Sequence, residues 1–162
     1  MKVFKPLVAF LPGLILISVV MGLVFELWGV NLLYSSTLFL LLCVATAGHF
    51  IEETYTQAWK IEAELRKDKD GNPKPPIMDR AFFVLFSHSL VITSFLFYFP
   101  IAIGASWALV YGLGIALLGI GNGIAHFAIL IKFKANTGCI TGFFQFLFGL
   151  LIWVSLFIPL LP

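Results

Sequence analysis

Apolar residues fill the chain in long runs, and polar ones fall in short clumps between them. Five runs can be drawn, at about residues 7–27, 32–55, 81–99, 105–131 and 142–161. A helix needs about 20 apolar residues to cross a bilayer, and each run supplies roughly that many. Because lipid offers no partner for backbone N–H and C=O groups, the crossing segments must be helices. The pattern predicts an all-α, polytopic integral membrane protein, with five transmembrane helices in a single bundle over residues 1–162. The polar stretch 56–80 is its one long loop. Within it, "TYTQAWKIEAELRKDK" (54–69) reads as the second helix continuing out of the membrane, with Glu62 and Arg66 as an i,i+4 pair, until "DGNPKPP" ends it. Pro12 predicts a bend inside the first run, and Pro100 marks the end of the third.

Composition strengthens this reading: of 162 residues 60% are hydrophobic and 11% charged, with a mean hydropathy of +1.04. Such a chain belongs in lipid and has no room for a separate soluble domain. The basic residues give the orientation. Lys2 and Lys5 precede the first run; Lys60, Arg66, Lys67, Lys69, Lys74 and Arg80 lie between the second and third; Lys132 and Lys134 lie between the fourth and fifth. The positive-inside rule then puts the N-terminus in the cytoplasm and the C-terminus outside, as for a multi-pass protein of the bacterial inner (plasma) membrane. Trp28, Tyr34, Tyr98, Trp107 and Tyr111 gather at the outer boundary like an aromatic belt. The basic residues form no continuous stripe, which argues against nucleic acid as a partner. The amino-terminal apolar run is too long for a secretory signal and reads as an uncleaved first span. Cys43, inside a span, and Cys139, in a loop, have no zinc-ribbon or disulfide spacing and read as bystanders.

The expensive residues are those inside the spans. His49, Glu52 and Glu53 close the second span, and His49 and Glu53 stack one turn apart. In the fourth span Asn122 and His126 stack likewise, with His126 about 9 Å before Lys132. His88 lies about 12 Å beyond Arg80 in the third span. All three histidines thus reach one leaflet, where Gln145, Ser87 and Ser89 could join them, whereas Glu26 reads as a solvated residue at the outer end of span one. Ionisable groups in a span are costly and normally mark a functional site. His49, Glu53, His126 and His88 are candidate ligands for a divalent metal, zinc or iron, and no other cofactor is implied. His49, Glu52, Glu53 and Asn122 are candidate catalytic groups, with Glu52 as general base in a metal site or Glu53 as acid–base group without one. There is no HExxH, since Phe50 follows His49.

"HFIEE" at 49–53 resembles the HXXEE motif that names a group of small, mostly bacterial membrane proteins, and "NGIAH" at 122–126 resembles its second motif, NxxxH. The resemblance covers most of the chain and implies fixed polar residues of the kind enzymes carry, without an established activity. The chemistry also bears a thinner similarity to the sterol-isomerase-like membrane proteins, which set a histidine and glutamates around an apolar ligand cavity. These readings point to a membrane-embedded enzyme that hydrolyses, or moves a proton on, a lipid or another amphipathic small molecule. A proton, ion or small-molecule transporter is the rival, with Thr93 and Ser94 as its best outer-half polar groups, and an assembly subunit is a third reading. Membrane lipids are the expected surroundings. The Gly119–Gly123 step suits close helix packing, within the chain or in a homo-oligomer through the fourth span.

Overall fold

The computed structural model describes residues 33–65, 67–72 and 80–155. Five helices lie among them: α1 (Leu33–Thr56), α2 (Ala58–Leu65), α3 (Arg80–Ala102), α4 (Ser106–Phe133) and α5 (Cys139–Ser155). Three stretches, Ser36–Thr56, Arg80–Ala102 and Trp107–Phe133, are long and apolar enough to cross a membrane, and α5 is a shorter apolar helix over its described length. This is a membrane protein. The predicted span at 7–27 with its bend at Pro12, together with Glu26, Trp28, Arg66 and the end of the fifth span, lies outside the described residues.

The outer faces of the helices explain the hydropathy. Ile51 on α1, Leu96 and Phe99 on α3, Ile131 on α4 and Ile140 on α5 are each more than half exposed, a surface that suits acyl chains rather than water. Inward, α4 packs most extensively on α5 and α5 on α1, while α3 closes the ring against α1 and α4. The interior has two storeys. One end is apolar, built from Phe39, Leu42, Ile101, Leu109, Leu113 and Ile152. Beside it Phe97 stacks on Tyr111 at 4.0 Å and meets Trp107 edge-on at 5.7 Å, so these belt aromatics gather at this end. The other end buries His49, His126, Thr46, Thr137 and Gln145.

Small residues set the closest contact. A Cβ on Gly123 would stand 2.5 Å from the Gly142 carbonyl oxygen, one on Gly149 2.5 Å from that of Ala116, and one on Gly119 3.0 Å from that of Gln145. The Gly119–Gly123 step therefore packs α4 on α5 within the chain, backbone against backbone, as membrane helices do without a hydrophobic driving force between them.

Four expectations change. The second helix does not run on unbroken: it stops at Thr56, and α2 begins after Gln57, whose φ of 55° is left-handed. The Thr54 hydroxyl donates to the Phe50 carbonyl at 2.7 Å and that of Thr56 to Glu53 at 3.3 Å, side-chain competition that weakens a helix end. Pro100 lies inside α3, which continues to Ala102, because in the last turn only the bond to residue 96 is lost. The fifth helix starts at Cys139 rather than 142, since Asn136 Oδ1 accepts the N–H groups of Gly138 (3.0 Å) and Cys139 (2.9 Å) and caps it. Cys139 is accordingly not a loop residue: it opens α5, and its thiol donates to the His126 carbonyl at 3.3 Å. Both cysteines are free.

In the loop after α2, the N–H of Asn72 and then that of Asp70 reach the Asp68 carboxylate at 2.9 Å. These donors hold its carboxyl below the usual carboxylate range.

The glycine contact is testable by substitution. Gly123→Val is expected to cost about 1–3 kcal/mol through overpacking and to lower the unfolding temperature in detergent by several degrees. Gly121→Ala, where a Cβ meets nothing within 4 Å, is expected to leave it unchanged or slightly raised.

Candidate functional site

The polar storey is assembled by three helices. The last three turns of α1 bring Thr46, His49, Glu52 and Glu53; α4 brings Asn122 and His126; the start of α5 brings Thr137 before its first turn, then Thr141 and Gln145. Their meeting depends on glycine. Gly138, at φ 130°, has no room for a side chain, because a Cβ there would lie 2.8 Å from His49 Cε1 and 3.2 Å from Glu53 Cγ. Gly142 lies under both imidazoles, 3.6 Å from each by the same measure.

Glu53 is the hub. Its Oε1 stands 3.4 Å from His49 Nε2 and 3.3 Å from His126 Nε2, and the two rings meet edge to face with centroids 4.7 Å apart. His49 is fully buried and His126 nearly so. One ligand atom from each of the three residues lies within 4.8 Å of the other two, so the group could hold a metal ion.

The far nitrogen of each ring is engaged by a threonine: His49 Nδ1 meets Thr141 Oγ1 at 3.1 Å, and His126 Nδ1 meets Thr137 Oγ1 at 2.7 Å. For His49 the proton can be assigned from the network. The single hydroxyl proton of Thr141 goes to the Glu52 carboxylate, so Thr141 can only accept from His49. Nδ1 therefore carries the proton and Nε2 the lone pair. In agreement, the Asn122 amide donates to His49 Nε2 at 2.6 Å and to Gln145 Oε1 at 2.9 Å, and Gln145 Nε2 donates to Thr46 at 3.2 Å. Such a closed network suits a low-dielectric interior, where an unpaired polar group is costly.

Glu52 and Glu53, adjacent in sequence, serve different ends. Glu52 accepts the N–H groups of Ile140 (3.3 Å) and Thr141 (2.8 Å) as well as the Thr141 hydroxyl. It thereby satisfies donors that the first turn of α5 leaves open and offers negative charge to the positive helix end. With both oxygens so occupied, Glu52 reaches His49 through Thr141.

Five of the six predicted site residues thus come together: His49, Glu53, Asn122 and His126 directly, and Glu52 through Thr141. His88 does not. It has the expected depth on α3 but the wrong face: α3 buries Phe83, Ser87, Ser94 and Ile101, and one residue of rotation turns His88 outward. There it is exposed, and its Nδ1 lies 2.7 Å from the Val84 carbonyl of its own helix. It borders a separate apolar groove with Phe50, Tyr55 and Ile92. Ser87 is buried but donates to Phe83, and Ser89 is exposed. Thr46, Thr137 and Thr141 are the residues that sequence reading overlooked; the only signal of the last two was an i,i+4 spacing alternating with Gly138 and Gly142.

A family profile described as a protein of unknown function with HXXEE motif matches residues 39–154. No curated protein and no solved structure matches the chain.

The proton assignment predicts an asymmetry between two variants. Thr141→Val leaves the buried His49 Nδ1–H without an acceptor and is expected to cost about 1–3 kcal/mol, while Thr141→Ser keeps wild-type stability. In ¹⁵N spectra of labelled protein, His49 should show a protonated Nδ1 in the wild type and both variants, with its proton and nitrogen shifts moved toward those of an unbonded N–H in the Val variant alone.

Proposed function

The chain belongs to the HXXEE-motif family, and we propose that it is a membrane-embedded, metal-dependent enzyme that hydrolyses, or moves a proton on, an amphipathic small molecule. One observation carries the reading: His49 Nε2 and His126 Nε2 converge on Glu53 Oε1 at 3.4 and 3.3 Å. Adjacent ligand atoms on a tetrahedral ion with bonds of about 2.0–2.1 Å stand about 3.3–3.4 Å apart, so these two separations suit such an ion. Two imidazoles and one carboxylate form a donor set for zinc or iron that leaves positions open for water or substrate. The threonines behind both rings supply the outer hydrogen bonds that orient ligating histidines.

An ion bound here would supply a Lewis acid that polarises a substrate oxygen and lowers the pKa of water. The chain's own groups do the rest. His49, Glu53 and His126 would hold the ion, the His49 lone pair that now accepts from Asn122 being the one available to it. Asn122, still tied to Gln145, then has an N–H to orient the polar end of the substrate. Glu52, through Thr141, keeps His49 in the tautomer that presents Nε2. The basic residues at this end of the helices favour the cytoplasmic leaflet of a bacterial inner membrane as its setting.

Transport is less well supported. A path to the other end would need Thr93 and Ser94, yet the Thr93 hydroxyl donates to Ser89 (2.8 Å) and meets Tyr111 at 2.6 Å, and Ser94, fully buried, donates to Leu90 at 2.7 Å. An assembly subunit would have no need for two buried imidazoles and a carboxylate that converge on one point.

Elemental analysis tests the proposal. Detergent-purified wild type, stripped with chelator and reloaded with Zn²⁺ or Fe²⁺, is expected to retain a single equivalent per chain, and Glu53→Gln and His126→Ala to retain less than a tenth of that while remaining helical. Wild type that takes up no metal on reloading would overturn the metal centre.

A further inference from the structure

Beside the centre lies a cavity of about 410 Å³ whose walls include Glu53 and Asn122. Along α4 it spans Ile115 to Ala125, about 15 Å of helix, so it leads from the polar storey toward the apolar one. Phe50, Phe83, Phe86, Leu90 and Leu118 line it, and its polar side chains are Thr46, Glu53, Asn122 and Gln145. Thr46 and Gln145 are bonded to each other. Among the described residues no lysine or arginine lines the cavity, so the side chains that line it offer one negative charge, a hydroxyl, amide groups and no cation.

We infer that this cavity binds one acyl chain of an uncharged amphiphile, with the chain along α4 toward the middle of the bilayer and a hydroxyl-bearing head at Asn122 and Glu53. The volume lies near the lower end of small-molecule cavities, about 300–1,000 Å³; it accommodates one extended chain and its head but not the two chains of a phospholipid. In the ion-free chain the lining selects the charge: a carboxylate or phosphate head would meet Glu53 with no basic side chain among the described residues to offset it, whereas a hydroxyl can bond to the carboxylate and the amides. That the ligand is the substrate rests on the enzymatic reading above; that it binds here does not.

Gly121 makes the test clean. It lines the cavity, and a Cβ there would meet nothing within 4 Å, so a larger side chain can enter the cavity without touching the contact at Gly119 and Gly123. The purified full chain in detergent would be photolabelled with a monoacylglycerol carrying a diazirine in its acyl chain, and labelled peptides identified by mass spectrometry. Labelling is expected on residues 83–90 and 115–125, saturable by unlabelled monoacylglycerol. It should fall at least five-fold in Gly121→Phe and in Leu118→Trp, and stay unchanged in Leu151→Phe on the lipid-facing side of α5. In chelator-treated protein a fatty acid with the same chain should label at least five-fold less. Labelling spread over all lipid-facing peptides, or unchanged in both cavity variants, would overturn the site; equal labelling by the fatty acid would overturn the uncharged head. The labelling is repeated after chelation, where it is expected to persist, and its loss there would overturn ion-independent binding. Persistence beside a wild type that binds no metal would keep this site while the metal centre falls.

Discussion

The backbone contact between α4 and α5 is the constraint on which the rest of the structure depends. With Gly123 set against the Gly142 carbonyl and Gly149 against that of Ala116, the two helices approach more closely than any larger side chain would allow. Lipid tails are as apolar as leucine, so burying aliphatic surface gains little between membrane helices, and close packing has to supply the attraction. The same approach puts Asn122 within 2.9 Å of Gln145 and His126 within 2.7 Å of Thr137. The contact that stabilises the bundle is thus also the one that assembles its polar storey.

Polar satisfaction is the second demand, and it accounts for the network's extent. Two buried imidazoles, a carboxylate and two amides could not stand separately in a medium where each unpaired group costs several kcal/mol. Each is passed to the next: Glu52 to Thr141, Thr141 to His49, His49 to Asn122, Asn122 to Gln145 and Gln145 to Thr46. Glu53 sets one oxygen beside the Nε2 atoms of both His49 and His126, 3.4 and 3.3 Å away. The arrangement ranks the two glutamates by rotation alone. About 100° of helical turn sends Glu52 to the open N–H groups at the start of α5 and Glu53 into the space between the imidazoles. One neighbour caps a helix start and the other stands between two imidazoles.

Much of this was legible in the chain before any coordinates. Long apolar runs announced three of the membrane-length helices, with borders near 32–55, 81–99 and 105–131 that fall within three residues of α1, α3 and α4. The i,i+4 spacing of His49 with Glu53 and of Asn122 with His126 put each pair on one face, and both faces meet. Depth alone misplaced His88, because a rise of 1.5 Å per residue locates a side chain along the axis and says nothing of where the rotation turns it. Thr137 and Thr141 were invisible for a different reason: a hydroxyl at a helix start is ordinary, and only the neighbour it meets gives it a part.

What the sequence by itself determined was the solvent and the local geometry: hydropathy demands lipid, lipid demands helices, and helical periodicity pairs residues four apart. What the tertiary structure decided was which pairs face each other, which glutamate is consumed as a helix cap, which nitrogen of His49 carries the proton, and that a cavity opens beside Glu53. The division has a physical basis. Partition into lipid and helical periodicity depend on residues adjacent in the chain, whereas the Glu52–Thr141 bond joins positions 89 residues apart, and only the packing of α1 on α5 brings them within reach.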